Sequence, residues 1–217
     1  LIDVRGLPEQ VLETNRIGVD LGAARQERPD GVPRVRRAVV LPVLAASGAS
    51  FVQLRMLNAD PGFPKYLNPH EWFAPNPRLG LFAPVPSPAL ADAVECEELI
   101  VTEGIFDALA ATGAGYRAAA CLGAGAPDQA VAVALARLPG RLVVAFDPDS
   151  AGRSGSDRLI ELLAAQRREA AVLRLTTGDL NSHAAKSSDW PVELAARVDQ
   201  AARSLRRVHP DLALGTG

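Results

Sequence analysis

Val101-Thr102-Glu103-Gly104-Ile105-Phe106-Asp107-Ala108-Leu109 and, about forty residues later, Phe146-Asp147-Pro148-Asp149-Ser150-Ala151-Gly152-Arg153 are the stretches on which the fold turns. Each leaves a short apolar run, passes through acid and glycine, and enters a helical pattern. Residues 99–102 read as a strand, and residues 105–112 as a helix with Phe106, Leu109 and Ala110 in register. Residues 141–146 read as a buried strand, and residues 154–166 as a helix carrying Leu159, Ile160, Leu162 and Leu163. Between and beyond them, residues 118–122 and 170–175 read as strands. Residues 127–138 read as a helix striped by Val131, Leu135 and Leu138, with Pro127 suited to its first turn. Strand and helix alternate over short connections, which predicts an α/β fold with a parallel sheet and right-handed crossovers.

Open parallel sheets bind ligands beyond the carboxyl ends of their strands. Glu103 follows the strand 99–102, Asp147 follows 141–146, Asp149 comes two residues later, and Asp179 lies just past 170–175. All four are expected on one edge of the sheet. Carboxylates gathered there repel one another unless a cation lies among them. Hard oxygen donors suit Mg²⁺ or Mn²⁺, which keep waters and complete their shell with substrate phosphates. Asp147-Pro148-Asp149 has the spacing to aim two carboxylates at one ion. The turn after it leads into a helix N-terminus, which favours a phosphate, and Gly152 sits in that turn. Gly104 allows backbone or substrate to approach closely. Taken singly, each feature has a plain structural meaning. Asp-Pro-Asp before a helix is equally a turn and N-cap, Glu103 and Asp107 are helix-start carboxylates favoured by the dipole, and Asp179 is a loop acid. Their conjunction points to metal-dependent phosphoryl transfer.

Upstream the pattern changes. Residues 1–37 read as irregular and polar, with a short helix around residues 8–15 and a basic cluster of Arg34, Arg36 and Arg37. Residues 38–44 and 50–57 read as a hairpin around Ala46-Ser47-Gly48. Val52, Leu54 and Met56 are assigned its core face, which puts Arg55 on the opposite face with Phe51 and Gln53. Eight prolines between residues 58 and 89 exclude long helices and central strands there. That region reads as ordered loop ending in a linker at residues 84–88. Residues 191–208 read as an amphipathic helix capped near Ser188 or Asp189, followed by a frayed tail. The expected units are residues 1–90, 91–188 and 189–217.

Composition narrows the class. Nearly half of the 217 residues are hydrophobic, so a core forms without staples. Two cysteines, Cys96 and Cys121, make neither a disulfide framework nor a thiolate metal knuckle, which fits a cytoplasmic protein. No apolar run reaches membrane-spanning length, and no signal segment opens the chain. It does not begin with Met and is read as an excised or processed piece. A net charge of −2 argues weakly against a purely electrostatic nucleic-acid binder. His70, His183 and His209 have no convincing partners and are assigned no role.

The two opening stretches resemble the first and second motifs of Toprim domains, especially those of DnaG-type bacterial, phage and plasmid primases. Leu122-Gly123-Ala124-Gly125 matches a glycine turn between them, and Gly178-Asp179-Leu180-Asn181 resembles a weaker third acidic motif. Upstream, the hairpin bearing Arg55 resembles the N-terminal subdomain of the primase catalytic core. Lys65-Tyr66-Leu67-Asn68 looks like that family's Lys-Tyr-Leu-Asn element, followed as usual by a Gly-Leu-Phe stretch, here residues 80–82. The resemblance implies a Toprim-like parallel sheet flanked by helices, preceded by a smaller α+β subdomain. It implies synthesis of RNA primers on single-stranded DNA from nucleoside triphosphates, with a replicative helicase as a partner. Asp147, Asp149 and Asp179 would hold Mg²⁺ or Mn²⁺, and Glu103 would be a further ligand or a general base. Arg55, Lys65, Asn68 and Arg153 would contact triphosphate or template, with Gly104, Asp107 and Gly152 in support. The chain departs from the pattern at the third motif, where Asn181 and Ser182 stand near Asp179 in place of further acids. It also lacks the family's zinc-binding domain, and its template groove is thinly basic. A Toprim nuclease and a non-catalytic binding module are the other readings. A topoisomerase is disfavoured, since only Tyr66 and Tyr116 are available as nucleophiles.

Overall fold

The computed structural model describes residues 1–22, 28–35, 37–45, 48–57, 59–86, 97–122 and 127–208. The hairpin turn at 46–47, Arg36, the boundary near residue 90, Cys96, the glycine turn at 123–125 and the tail with His209 lie outside these residues.

The alternating apolar runs form a five-stranded sheet. Strands β6 (Glu98–Thr102), β7 (Arg117–Cys121), β8 (Arg141–Ala145) and β9 (Ala170–Val172) are parallel, in the order β7-β6-β8-β9. The registers pair Thr102 with both Ala120 and Ala145, so the three central strands end level. Side chains alternate across the sheet as its pleat requires. Leu99, Val101, Leu142 and Val144 face α4 (Gln129–Ala136) and α5 (Ser150–Ala165), packing with Leu135, Leu159 and Leu163. Ile100 and Val143 face the other way, into a larger core with α3 (Ile105–Gly113), α6 (Leu180–Ala184) and α7 (Trp190–Val208).

Three elements differ from expectation. Helix α5 begins at Ser150 rather than at residue 154, because the Asp149 side chain caps it by accepting the Gly152 N–H at 2.7 Å. Strand β9 ends at Val172, although the Leu173 N–H still reaches the Val144 carbonyl at 2.9 Å. Helix α6, which Asp179 caps, has no counterpart among the predicted elements; five residues are too few to show a helical period.

The N-terminal region is more ordered than its polarity suggests. It contains α1 (Ile2–Arg5), α2 (Glu9–Thr14) and β1 (Gly18–Asp20), of which only α2 was expected. Val11 of α2 and Leu7 before it are fully buried in the larger core. The hairpin is β2 (Ala38–Ala45) with β3 (Gly48–Met56). It is extended by β1 and by β4 (Tyr66–Leu67) into an antiparallel sheet of order β1-β2-β3-β4.

The assignment of hairpin faces is corrected. Phe51, on the same face as Gln53 and Arg55, packs with Val39, Leu41 and Val43 into the larger core. Leu54, with Val52 and Met56 beside it, seals only a small cluster with Val35 and Ala38. Alternation along a strand gives parity; it does not say which of two covered faces meets the larger core.

The proline-rich stretch contributes β4 and β5 (Leu79–Phe82), both short. Strand β5 runs antiparallel beside β7, from Leu79 opposite Cys121 to Phe82 opposite Ala118, and forms the outer edge of the parallel sheet. A chain segment from before residue 90 is thus hydrogen-bonded into the second sheet. Among the described residues, no helix is long and apolar enough to cross a membrane.

Candidate active site

The level ends of β6 and β8 place Glu103 and Asp147 side by side. The Asp147 backbone lies close enough to the Glu103 carboxyl to favour its ionised form slightly. Burial, then the charges of Asp147 and Asp149, hold the Glu103 carboxyl above the usual range. The Asp147 carboxyl is raised by burial and then by Asp179 and Asp149. The four acids chosen from sequence therefore act on one another at one sheet edge.

Two of them have a second duty. Besides the α5 cap made by Asp149, the Asp179 carboxylate caps α6 by accepting the Ser182 N–H at 2.6 Å. Among the described residues, no three His, Cys, Asp or Glu side chains are gathered closely enough to hold one metal ion. The donor chemistry nevertheless suits a hard divalent cation. The groups are oxygen donors, and beyond burial the charges of Asp147 and Asp149 raise Glu103 and those of Asp179 and Asp149 raise Asp147, a repulsion that a cation would relieve.

Asp107 lies behind this edge. It is 8% exposed, because α3 is covered by the sheet on one side and by α2 and α6 on the others. Its Oδ1 accepts the Asn181 N–H at 3.0 Å. Burial first, then Asp179 and Asp147, push its carboxyl up to about 7. The folded chain thus favours the protonated form, whereas an unfolded Asp ionises near about 4. Stability from this group is full below about pH 4 and is lost as pH rises through about 7. Asp107→Asn keeps the acceptor and does not titrate. Without divalent cations, its melting temperature is expected to exceed that of the wild type by a margin that grows from pH 5 to pH 8. A margin that stays constant or shrinks contradicts the assignment.

The glycines sit where bulk is excluded. A Cβ on Gly152 would lie 2.2 Å from the Asp147 carbonyl oxygen, and one on Gly104 would lie 2.8 Å from Asp107 Oδ2. Arg153 is exposed and donates to the Pro148 carbonyl.

The basic residues chosen from sequence lie in the first sheet. The Arg55 guanidinium is 5.0 Å from the centroid of the Tyr66 ring and donates to the carbonyls of Met56 at 3.2 Å and Lys65 at 3.3 Å. Lys65 is exposed, and Asn68 Oδ1 accepts from Gln53 Nε2 at 3.0 Å. Tyr66 links the two halves. Burial raises its phenol, and the charges of Arg55, Asp107 and Arg5 all reach it.

Arg5 and Asn181 were not selected from sequence. Asn181, 1% exposed, donates to the Arg5 carbonyl at 2.6 Å and accepts from Arg5 Nη1 at 3.1 Å. The Arg5 guanidinium also lies 5.0 Å from the Phe106 ring centroid. The residue read as a gap in the third acidic motif is instead the tie between α1, Asp107 and α6.

Residues 100–184, which carry all four acids, match the family model described as Toprim-like. This stretch is similar to Toprim-like domains. No curated protein sequence matches the chain. Among solved structures, the zinc-binding and RNA polymerase domains of the Aquifex aeolicus primase align with a TM-score of 0.69 at 22% identity, over 91% of this chain and 54% of that one. A DnaG primase catalytic domain bound to single-stranded DNA aligns at 0.67 and 23%, over 97% and 74%. A DNA primase domain from Pseudomonas aeruginosa aligns at 0.66 and 25%, over 91% and 69%. The chain thus spans about half the length of the Aquifex structure. The Toprim-like domain and the antiparallel sheet before it together have the fold of a DnaG-type primase catalytic core.

Proposed function

We propose that this chain is the catalytic core of a primase, a nucleotidyltransferase that builds short RNA primers on single-stranded DNA from nucleoside triphosphates. The observation that carries the reading is the gathering of Glu103, Asp147, Asp149 and Asp179 at the carboxyl edge of the parallel sheet, where Asp179 and Asp149 add their charge to the burial that raises Asp147. The primase-core fold supports it, as does the single-stranded DNA bound by one of the similar structures.

In the reaction, a 3′-hydroxyl oxygen attacks the α-phosphorus of the incoming nucleotide, the phosphorus–oxygen bond forms, and pyrophosphate leaves. One or two carboxylates of the set Asp147, Asp149 and Asp179 would hold Mg²⁺ or Mn²⁺, with water and substrate phosphates completing the shell. When bound, such an ion neutralises the triphosphate charge and the charge that grows in the transition state. Glu103, with its raised pKa, is suited to receive the hydroxyl proton, as a general base works best when its pKa approaches the working pH. Arg55, Lys65, Asn68 and Arg153 offer donors to phosphate oxygens. The Tyr66 ring lies under the Arg55 guanidinium. The reading also places the protein in the cytoplasm, beside a replicative helicase.

The test uses purified protein, a single-stranded template, labelled ribonucleotides and Mg²⁺ or Mn²⁺. Template-dependent oligoribonucleotides are expected, and a chelator should abolish them. Absence of synthesis with either ion overturns the reading. Metal-dependent cleavage of DNA without nucleotides would instead identify a nuclease.

A further inference from the structure

The loop after Asn68 presents aromatic rings to solvent on a backbone tied down by hydrogen bonds. Trp72 is 71% exposed and Phe73 is 41% exposed. Exposed large aromatics are usually mobile or covered, yet this turn is pinned at both ends. Pro69 and Ala74 are buried, Ala74 within the larger core. The His70 N–H donates to the Gly31 carbonyl at 2.9 Å, and the His70 carbonyl accepts the Phe73 and Ala74 N–H groups at 2.9 and 3.1 Å. Gly31 has φ of +93°, and a Cβ there would meet Phe73 Cβ at 2.6 Å and Trp72 Cη2 at 3.0 Å. The indole is therefore seated against Gly31. The His70 ring lies nearly parallel to it, with 13° between planes and 6.2 Å between centroids. A fixed, exposed aromatic face is what an unpaired base stacks on, and it loses little entropy on binding because it is already ordered.

We propose that Trp72, with His70 beside it, is a stacking platform for a base of the single-stranded DNA template. This rests on the template-directed reading above. Continuity favours this occupant: Trp72 is four residues past Asn68, within about 14 Å of chain reach, so a strand whose phosphates met Lys65 and Asn68 would have Trp72 within a few nucleotides. Glu71 shares the turn and adds negative charge, so the attraction here is stacking rather than ionic.

Trp72 and Trp190 are the two tryptophans of the chain. Trp190 is 4% exposed, with its indole N–H on the Ala110 carbonyl at 3.2 Å, so it serves as an internal reference. Titrating the whole chain with a single-stranded oligodeoxythymidylate should quench fluorescence. An abasic oligonucleotide of equal length should bind more weakly and quench little. Trp72→Ala should weaken binding between about fivefold and about 150-fold, remove the quench, and do so to a similar factor at low and high salt. Lys65→Ala should instead shallow the salt dependence. Trp72→Phe should restore most of the affinity. Wild-type affinity in Trp72→Ala, or equal binding of the abasic strand, overturns the platform, as does failure of the wild type to bind single strands. Synthesis that proceeds with a neutral Trp72→Ala removes the platform and leaves the primase reading standing. Base-dependent quenching without synthesis does the reverse.

Discussion

Asp147→Ala is expected to lower template-directed synthesis by more than about 100-fold, the scale on which lost transition-state electrostatics register, while the chain stays folded. Asp147 stands at the centre of the acidic edge: its charge raises both Glu103 and Asp107, and its own carboxyl is raised by Asp149 and Asp179. Its backbone, which favours the ionised Glu103 slightly, survives the substitution. Removing the side chain therefore takes away an oxygen donor without dismantling the strand end. The sign of the stability effect separates this from simple damage. Like-charge repulsion is relieved, so without divalent cations the variant should melt no lower than the wild type. Two measurements decide it: primer synthesis under saturating nucleotide, and a melting temperature with and without Mg²⁺. Synthesis near the wild-type rate removes Asp147 from the mechanism. Lost synthesis with a strongly lowered melting temperature makes it a packing residue instead.

Gly152→Ala should have the second largest effect, and it acts through space rather than charge. In an exposed helix, Gly→Ala gains about 1 kcal/mol of propensity. Here the new methyl would lie 2.2 Å from the Asp147 carbonyl oxygen and 2.9 Å from the Asp147 carbonyl carbon and nitrogen. Those are backbone atoms, so no rotamer change relieves the contact. Either the first turn of α5 lifts away, taking the Asp149 cap with it, or the Asp147 peptide moves. Overpacking of this kind costs about 1–3 kcal/mol, and a shift of about 1 Å at a catalytic group can cost about 100-fold in rate. Gly155→Ala is the internal comparison. Its nearest neighbours are side-chain carbons of Phe146 at 3.3 and 3.4 Å, which can give way. Denaturant unfolding and primer synthesis of both variants should show Gly152→Ala impaired in each and Gly155→Ala close to wild type. Equal behaviour of the two would mean that the Gly152 approach does not shape the site.

The acids were legible because their signal is local: an apolar run too short for a helix, a carboxylate where it ends, and a glycine nearby. Strand order then brings residues distant in sequence to one edge, as parallel topology requires. What could not be read was the second duty of two of these acids. Asp149 and Asp179 cap helices, and capping uses the same residue type at the same place as ligation. Asn181 looked like a missing acid because its partners, Arg5 and Asp107, are 176 and 74 residues away in sequence. Arg5 itself lay in a stretch whose polarity argued for irregular chain. The face of Arg55 was misjudged for a different reason: both sides of the hairpin are covered, and hydrophobic alternation is silent on which cover is the larger core.

Strand β5 carries a practical consequence for anyone wishing to study the acidic edge in isolation. A fragment starting at residue 97 would contain every acid of the site and all of the family match, yet it would lack the strand that covers β7. The backbone donors and acceptors of Arg117–Cys121, now paired with Leu79–Phe82, would become an open border beside the small, apolar Ala118, Ala119 and Ala120. Such a border recruits strands from other molecules. The smallest well-behaved piece of this protein therefore begins before Leu79, however cleanly the motifs appear to start at β6.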